Sequence, residues 1–143
     1  MIEGKIEKRG RPASAAGFDP RLHGFSGLET RRELRQKVYD LTRRFPVDER
    51  HVPIAQIRRA AISVTANIAE GYGRFSCQEN MRFCRHARAS AYEVRDHLIA
   101  ALDAGHIPQS GWKETEALAQ RVILMLNGYL RAICEPQVTS KQG

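Results

Sequence analysis

Long apolar runs are missing from this chain. None approaches the roughly 20 residues that a membrane-spanning helix needs, which excludes a helical membrane protein. The first ten residues, Met1 to Gly10, are charged and hold no hydrophobic stretch, so they do not read as a secretory signal. Cysteine is scarce: Cys77, Cys84 and Cys134 are the three present. No CxxC occurs and the spacings match no zinc pattern. The number is odd, so free thiols in a reducing cytoplasm are the expectation. The five histidines, His23, His51, His86, His97 and His106, form no HExxH and no triad. Glu93 and His97 are four apart rather than three and have no second copy, which excludes the paired Glu-x-x-His of di-iron bundles. Ser63 and Ser90 are single hydroxyls without a placed base. We therefore expect no enzyme, no cofactor and no metal. Aromatic-rich strands, RNP motifs, zinc fingers and DNA-reading helices are also lacking, so base-specific readout has no support. No strand-like alternation and no internal repeat appear.

What the chain does have is charge and helical period. Its 23 Lys and Arg against 16 Asp and Glu give a net charge of +7. That balance favours polyanions such as nucleic acid by long-range attraction, though it also keeps a bundle soluble. The 143 residues fit one domain, long enough to bury about two thirds of its surface without a staple. Residues 1–27 are rich in glycine and proline, show no helical period, and read as a flexible arm with five basic and three acidic residues. A bundle domain over 28–135 follows, then a frayed tail over 136–143.

Four amphipathic segments follow the arm. Leu34, Val38, Leu41 and Phe45 share one face of a first helix over about 28–45, stopped by Pro46. Pro53 suits the first turn of a second helix, which reaches Glu70 or Tyr72. Its main stripe is Ile54, Ile57, Ala61, Val64 and Ile68. A second small face of Ile62, Ala66 and Ala69 packs either inside the monomer or against another subunit. Gly71 and Gly73 offer left-handed positions at its end. Ser76 and Glu79 form a capping box for a third helix that ends near Gly105, about 42 Å long. Phe83, Cys84, Ala87, Ala91, Val94, Leu98 and Ala101 or Leu102 line its buried side. The fourth helix covers about Ser110 to Cys134, with Leu118, Val122, Met125, Tyr129 and Ile133 as its stripe, and Pro136 beyond it. Short connections imply an all-α, antiparallel, up-down-up-down four-helix bundle.

Residues 56–79 are distinctive: Gln56, Arg58, Arg59, Ala60, Ser63, Asn67, Ile68, Ala69, Glu70 and Gly71, then Gly73, Arg74, Ser76 and Glu79, with a later step of Ala89, Ser90 and Glu93. This pattern resembles the four helix bundle protein family, also known as the 23S ribosomal RNA intervening-sequence proteins, over about residues 30–133. The resemblance implies an up-down bundle assembled as a homopentameric ring, with no established catalysis. Related bundles accompany the reverse transcriptases of diversity-generating retroelements, where they bind nucleic acid and the polymerase. The arm of 1–27 is longer than the resemblance implies.

Asn67, Glu70, Gly71, Arg74, Ser76 and Glu79 surround one helix–turn–helix joint. Such groups satisfy orphan backbone atoms at helix ends, and Glu70 and Arg74 are the pair expected to meet. A partner or phosphate site is the alternative there. The candidate nucleic-acid contacts are Arg31, Arg32, Arg35, Arg43 and Arg44, with Arg59, Arg74, Arg82, Arg85 and Arg88. Guanidinium forks suit phosphate. A solvated basic face, or salt bridges between subunits, is the competing reading. The candidate oligomer interface is Ile62, Ala66 and Ala69. A non-catalytic, cytoplasmic, oligomeric nucleic-acid-binding bundle is the first functional expectation. A protein-interaction scaffold without nucleic acid is the second.

Overall fold

The computed structural model describes residues 25–46, 53–74 and 76–134. Four helices account for most of them: α1 (Phe25–Thr42), α2 (Pro53–Tyr72), α3 (Cys77–Asp103) and α4 (Gln109–Cys134). The first turn of α1 takes in Phe25 to Gly27, three residues assigned to the arm on sequence grounds. The rest of the arm (1–24), the turn over 47–52 and the tail (136–143) lie outside the described residues. None of the described helices is long and apolar enough to cross a membrane.

The helix ends follow local chemistry. α1 stops at Thr42, earlier than expected, and the chain tightens through Arg44 N–H to Leu41 and Phe45 N–H to Thr42, both at 3.3 Å. Pro46 disfavours helical geometry at Phe45, the residue before it. Phe45 is still buried as the expected core residue. Ser76 caps α3 with extended backbone, its hydroxyl accepting from the Glu79 N–H at 3.4 Å. At the far end, Gly105 takes φ +74°, while His106 N–H reaches Ala101 O at 2.9 Å and Gly105 N–H reaches Leu102 O at 3.0 Å. That pair of bonds is a Schellman cap, and only glycine enters it without strain. Gly71 and Gly73 do not play this part: neither has positive φ. α2 ends instead in tightened bonds, Gly73 N–H to Glu70 O at 3.1 Å and Arg74 N–H to Gly71 O at 3.2 Å.

Each helix packs on its chain neighbour, and α1 closes the ring on α4, which leaves α1 and α3 at opposite corners. Contacts climb one helix as they descend the next, as in antiparallel neighbours. Ser63 meets Ser90 while Arg59 meets Glu93. Asn80 meets Tyr129, Arg88 meets Asn127 and Arg95 meets Glu116.

The core takes Leu34 and Val38 from α1, Ile57 and Val64 from α2, Val94 and Leu98 from α3, all at most 1% exposed. Each such side chain stabilises the fold by about 1.5–3 kcal/mol. On α4 the expected stripe is rotated. Val122 and Tyr129 are buried, but Ala119, Ile123, Leu126 and Leu130 share the centre, and Leu118 and Met125 are only partly buried. Leu118 faces the groove toward Glu33, Gln36 and Lys37 of α1. The side chain of Ile133 lies outside the described residues.

Candidate nucleic-acid interface

The distinctive stretch on α2 and the later step on α3 form one seam. Ser63 and Ser90 place their hydroxyls 2.8 Å apart. Asn67 donates to the Ser63 carbonyl at 2.8 Å and to its hydroxyl at 3.0 Å. One turn away, Arg59 pairs with Glu93 and takes Gln56 Oε1 at 3.1 Å. His97 Nε2 stands 3.5 Å from the same Glu93 carboxylate without forming a hydrogen bond. At the joint, Arg74 and Glu70 meet at 2.5 Å, as their spacing of four predicts. Gly71 is buried because α3 comes close: a Cβ there would meet Asn80 Oδ1 at 2.9 Å and Phe83 Cβ at 3.2 Å. Asn80 in turn donates to the Tyr129 hydroxyl at 2.6 Å and accepts from the Cys84 thiol at 3.5 Å. Most of these residues thus hold α2 against α3. Burial pushes the Cys84 thiol up to about 11 and the Tyr129 phenol up to about 12, the Asn80 bond opposing the latter. Tyr72 rises by burial too, against the pull of Arg31.

The candidate arginines divide into two groups. Arg59 and Arg74 are engaged as described, Arg43 pairs with Asp40 at 3.1 Å, and Arg88 donates to Asn127 at 2.9 Å. These surface contacts contribute little individually; the carboxylates neutralise Arg43, Arg59 and Arg74, whereas Asn127 only orients Arg88, which keeps its charge. Arg32, Arg44, Arg82 and Arg85 are exposed and Arg35 half-exposed. None has a carboxylate partner among the described residues. Arg82 lies over the Phe83 ring at 5.5 Å, with Arg74 at 5.0 Å from the same ring, so two guanidiniums are held at the α2–α3 joint. Arg31 is half-buried; its Nη1 is enclosed with no acceptor among the described residues, and burial lowers its pKa, opposed by Tyr72 and assisted by Arg35.

Sequence reasoning missed Arg58 as a surface cation. It lies over Tyr39 of α1 at 4.6 Å and donates to Thr42 at 2.8 Å. The two positions are 19 residues apart with a turn between, so no local signal joins them. It also missed Arg95, which bridges α3 to Glu116 at 2.6 Å. Ile62, Ala66 and Ala69 are exposed, with Ile62 at 43%, so this second face of α2 does not pack inside the monomer.

Among the described residues no group of three His, Cys, Asp or Glu side chains is placed to hold a metal ion. Comparison with curated proteins gives no match. The family model described as 23S rRNA-intervening sequence protein matches residues 28–128, which span α1 to α3 and most of α4. The chain belongs to the 23S rRNA-intervening sequence protein family.

Proposed function

We propose that this protein is a non-catalytic, homo-oligomeric bundle of the cytoplasm that binds RNA or DNA through exposed arginines, as an accessory to a ribonucleoprotein or a reverse transcriptase. One observation carries the reading: Arg32, Arg35, Arg44, Arg82 and Arg85 face outward without carboxylate partners among the described residues. Ion-paired arginines are satisfied already, whereas these are open to phosphate.

A second reading, a protein-interaction scaffold, is favoured by a different face. Tyr92 and Ile99 of α3 and Leu124 of α4 are 50%, 46% and 59% exposed. Tyr92 and Ile99 lie on the side of α3 that carries Arg88 and Arg95 toward α4. Large apolar groups left in water suit a protein contact, including one between copies of this chain.

The test is a titration against labelled RNA and DNA at about 50 and 200 mM salt, with particle mass followed by light scattering. Binding that falls steeply with salt supports the first reading. Absence of binding at either salt, by a particle of stable mass, rejects it in favour of the second.

A further inference from the structure

We infer that the groove between α1 and α2 is a seat for single-stranded nucleic acid. This rests on the nucleic-acid reading above and specifies the place and the form of the ligand. The groove is open, encloses about 700 Å³, and is lined by Arg35, Gln36, Tyr39, Asp40, Arg43 and Ile62. Arg58 borders it through its contact with the Tyr39 ring. Arg31 stands one turn before Arg35 and is electrostatically coupled to it. Among the described residues of the lining Asp40 is the one acid, and Arg43 already engages it.

Charge and apolar surface alternate here. Ile62, 43% exposed, is a large aliphatic group left in water next to cations. Tyr39 supplies a ring whose orientation is restrained by Arg58. A single strand satisfies both kinds of group, since its phosphates follow the cations while its unpaired bases cover rings and aliphatic surface. A duplex satisfies only the cations, because its bases are stacked inside and a channel between two adjacent helices, with axes about 8–10 Å apart, is too narrow to admit it. A second copy of this chain is the poorer occupant. It offers more cations than carboxylates, 23 Lys and Arg against 16 Asp and Glu, to a groove edged by Arg35 and Arg58, and so suits the apolar face of Tyr92, Ile99 and Leu124 better. A polyanion releases counterions there instead.

The experiment uses the full chain and measures anisotropy of labelled oligo(dT), oligo(rU) and a blunt duplex of equal length, about 20 nucleotides, at low salt. We expect the strands to bind roughly tenfold more tightly than the duplex, and Tyr39→Ala to weaken strand binding about five- to hundredfold with the duplex unaffected. Arg35→Ala with Arg43→Ala is the second variant, should Tyr39→Ala fail to fold. It should lower the salt slope for the strands by about 0.7 for Arg35, and by up to about 1.4 where the strand draws Arg43 away from Asp40. Ultraviolet cross-linking should attach the strand within residues 35–62. Equal affinity for strand and duplex, or strand binding untouched by both variants, overturns the groove while leaving nucleic-acid binding intact. No binding to any of the three probes overturns the wider reading as well. If Ile62→Glu splits a larger particle and leaves binding unchanged, the groove is a subunit contact and the inference fails.

Discussion

The hydroxyls of Ser63 and Ser90 meet 2.8 Å apart between α2 and α3, and Asn67 holds the first of them in place. Two small polar groups at a helix crossing let the backbones approach while each satisfies the other. Removing Ser63 leaves Ser90 without this partner, removing Ser90 leaves Ser63 only its bond from Asn67, and removing both leaves little unsatisfied. Ser63→Ala and Ser90→Ala should therefore each cost about 1 kcal/mol, and the double variant clearly less than their sum. Urea unfolding of the four proteins in this cycle reads the coupling directly. Strict additivity would mean the contact contributes nothing.

Gly71 has ordinary helical backbone, so its requirement is space rather than conformation. Gly71→Ala places a methyl 2.9 Å from Asn80 Oδ1 and 3.2 Å from Phe83 Cβ. Alanine gains about 1 kcal/mol in helix propensity, but overpacking a tight crossing costs about 1–3 kcal/mol. We expect net destabilisation of about 1 kcal/mol and a loosened Asn80–Tyr129 bond. Gly73→Ala is the control, because its nearest contact is 3.5 Å away. A Gly71→Ala melting temperature at or above that of the parent would show that α3 yields at this crossing.

Local patterns made much of this legible. The 3.6-residue period and the Pro and Gly breaks gave four helices in order, and the spacing of four between Glu70 and Arg74 gave their ion pair. The capping role of Ser76 was equally local. Partners on other helices were not legible. Arg59 and Arg88 look like free cations in the sequence, yet Glu93 and Asn127 on neighbouring helices take them. The rotation of α4 was hidden for a related reason. Its apolar residues wrap more than one face, and only the packing on α1 and α3 decides which of Leu118 and Ala119 turns inward. Glycine in the sequence suggested a left-handed turn at 71, while the structure needs its lack of a side chain.

Arg82 and Arg85 sit one turn apart on α3, exposed and without carboxylate partners among the described residues. Replacing both by alanine should leave stability within about 0.5 kcal/mol, as for other exposed sites. Binding to RNA and DNA should weaken for all sequences alike, with the salt slope reduced by about 2. Parallel thermal melts and titrations at several salt concentrations separate the two effects. An unchanged slope removes this pair from the interface and leaves the α1 arginines as its carriers.

Alkaline solution should unfold the bundle from the Tyr129 end. In the folded chain the Tyr129 phenol is held up at about 12 and the Cys84 thiol at about 11, each chiefly by burial, and Tyr72 moves the same way. Unfolded, these groups ionise near their ordinary values of about 10 for tyrosine and 8.5 for cysteine. Above pH about 9 the unfolded chain therefore binds fewer protons than the folded one, and stability falls as pH rises. The contribution is complete below that pH and lost by about pH 12, with Tyr129 alone worth about 2 kcal/mol over the window. Tyr129→Phe should flatten the decline while costing about 1 kcal/mol at neutral pH, because Asn80 loses its acceptor. Urea midpoints measured across the alkaline range test both halves of this. A Tyr129→Phe curve parallel to that of the parent would assign the alkaline loss to other groups.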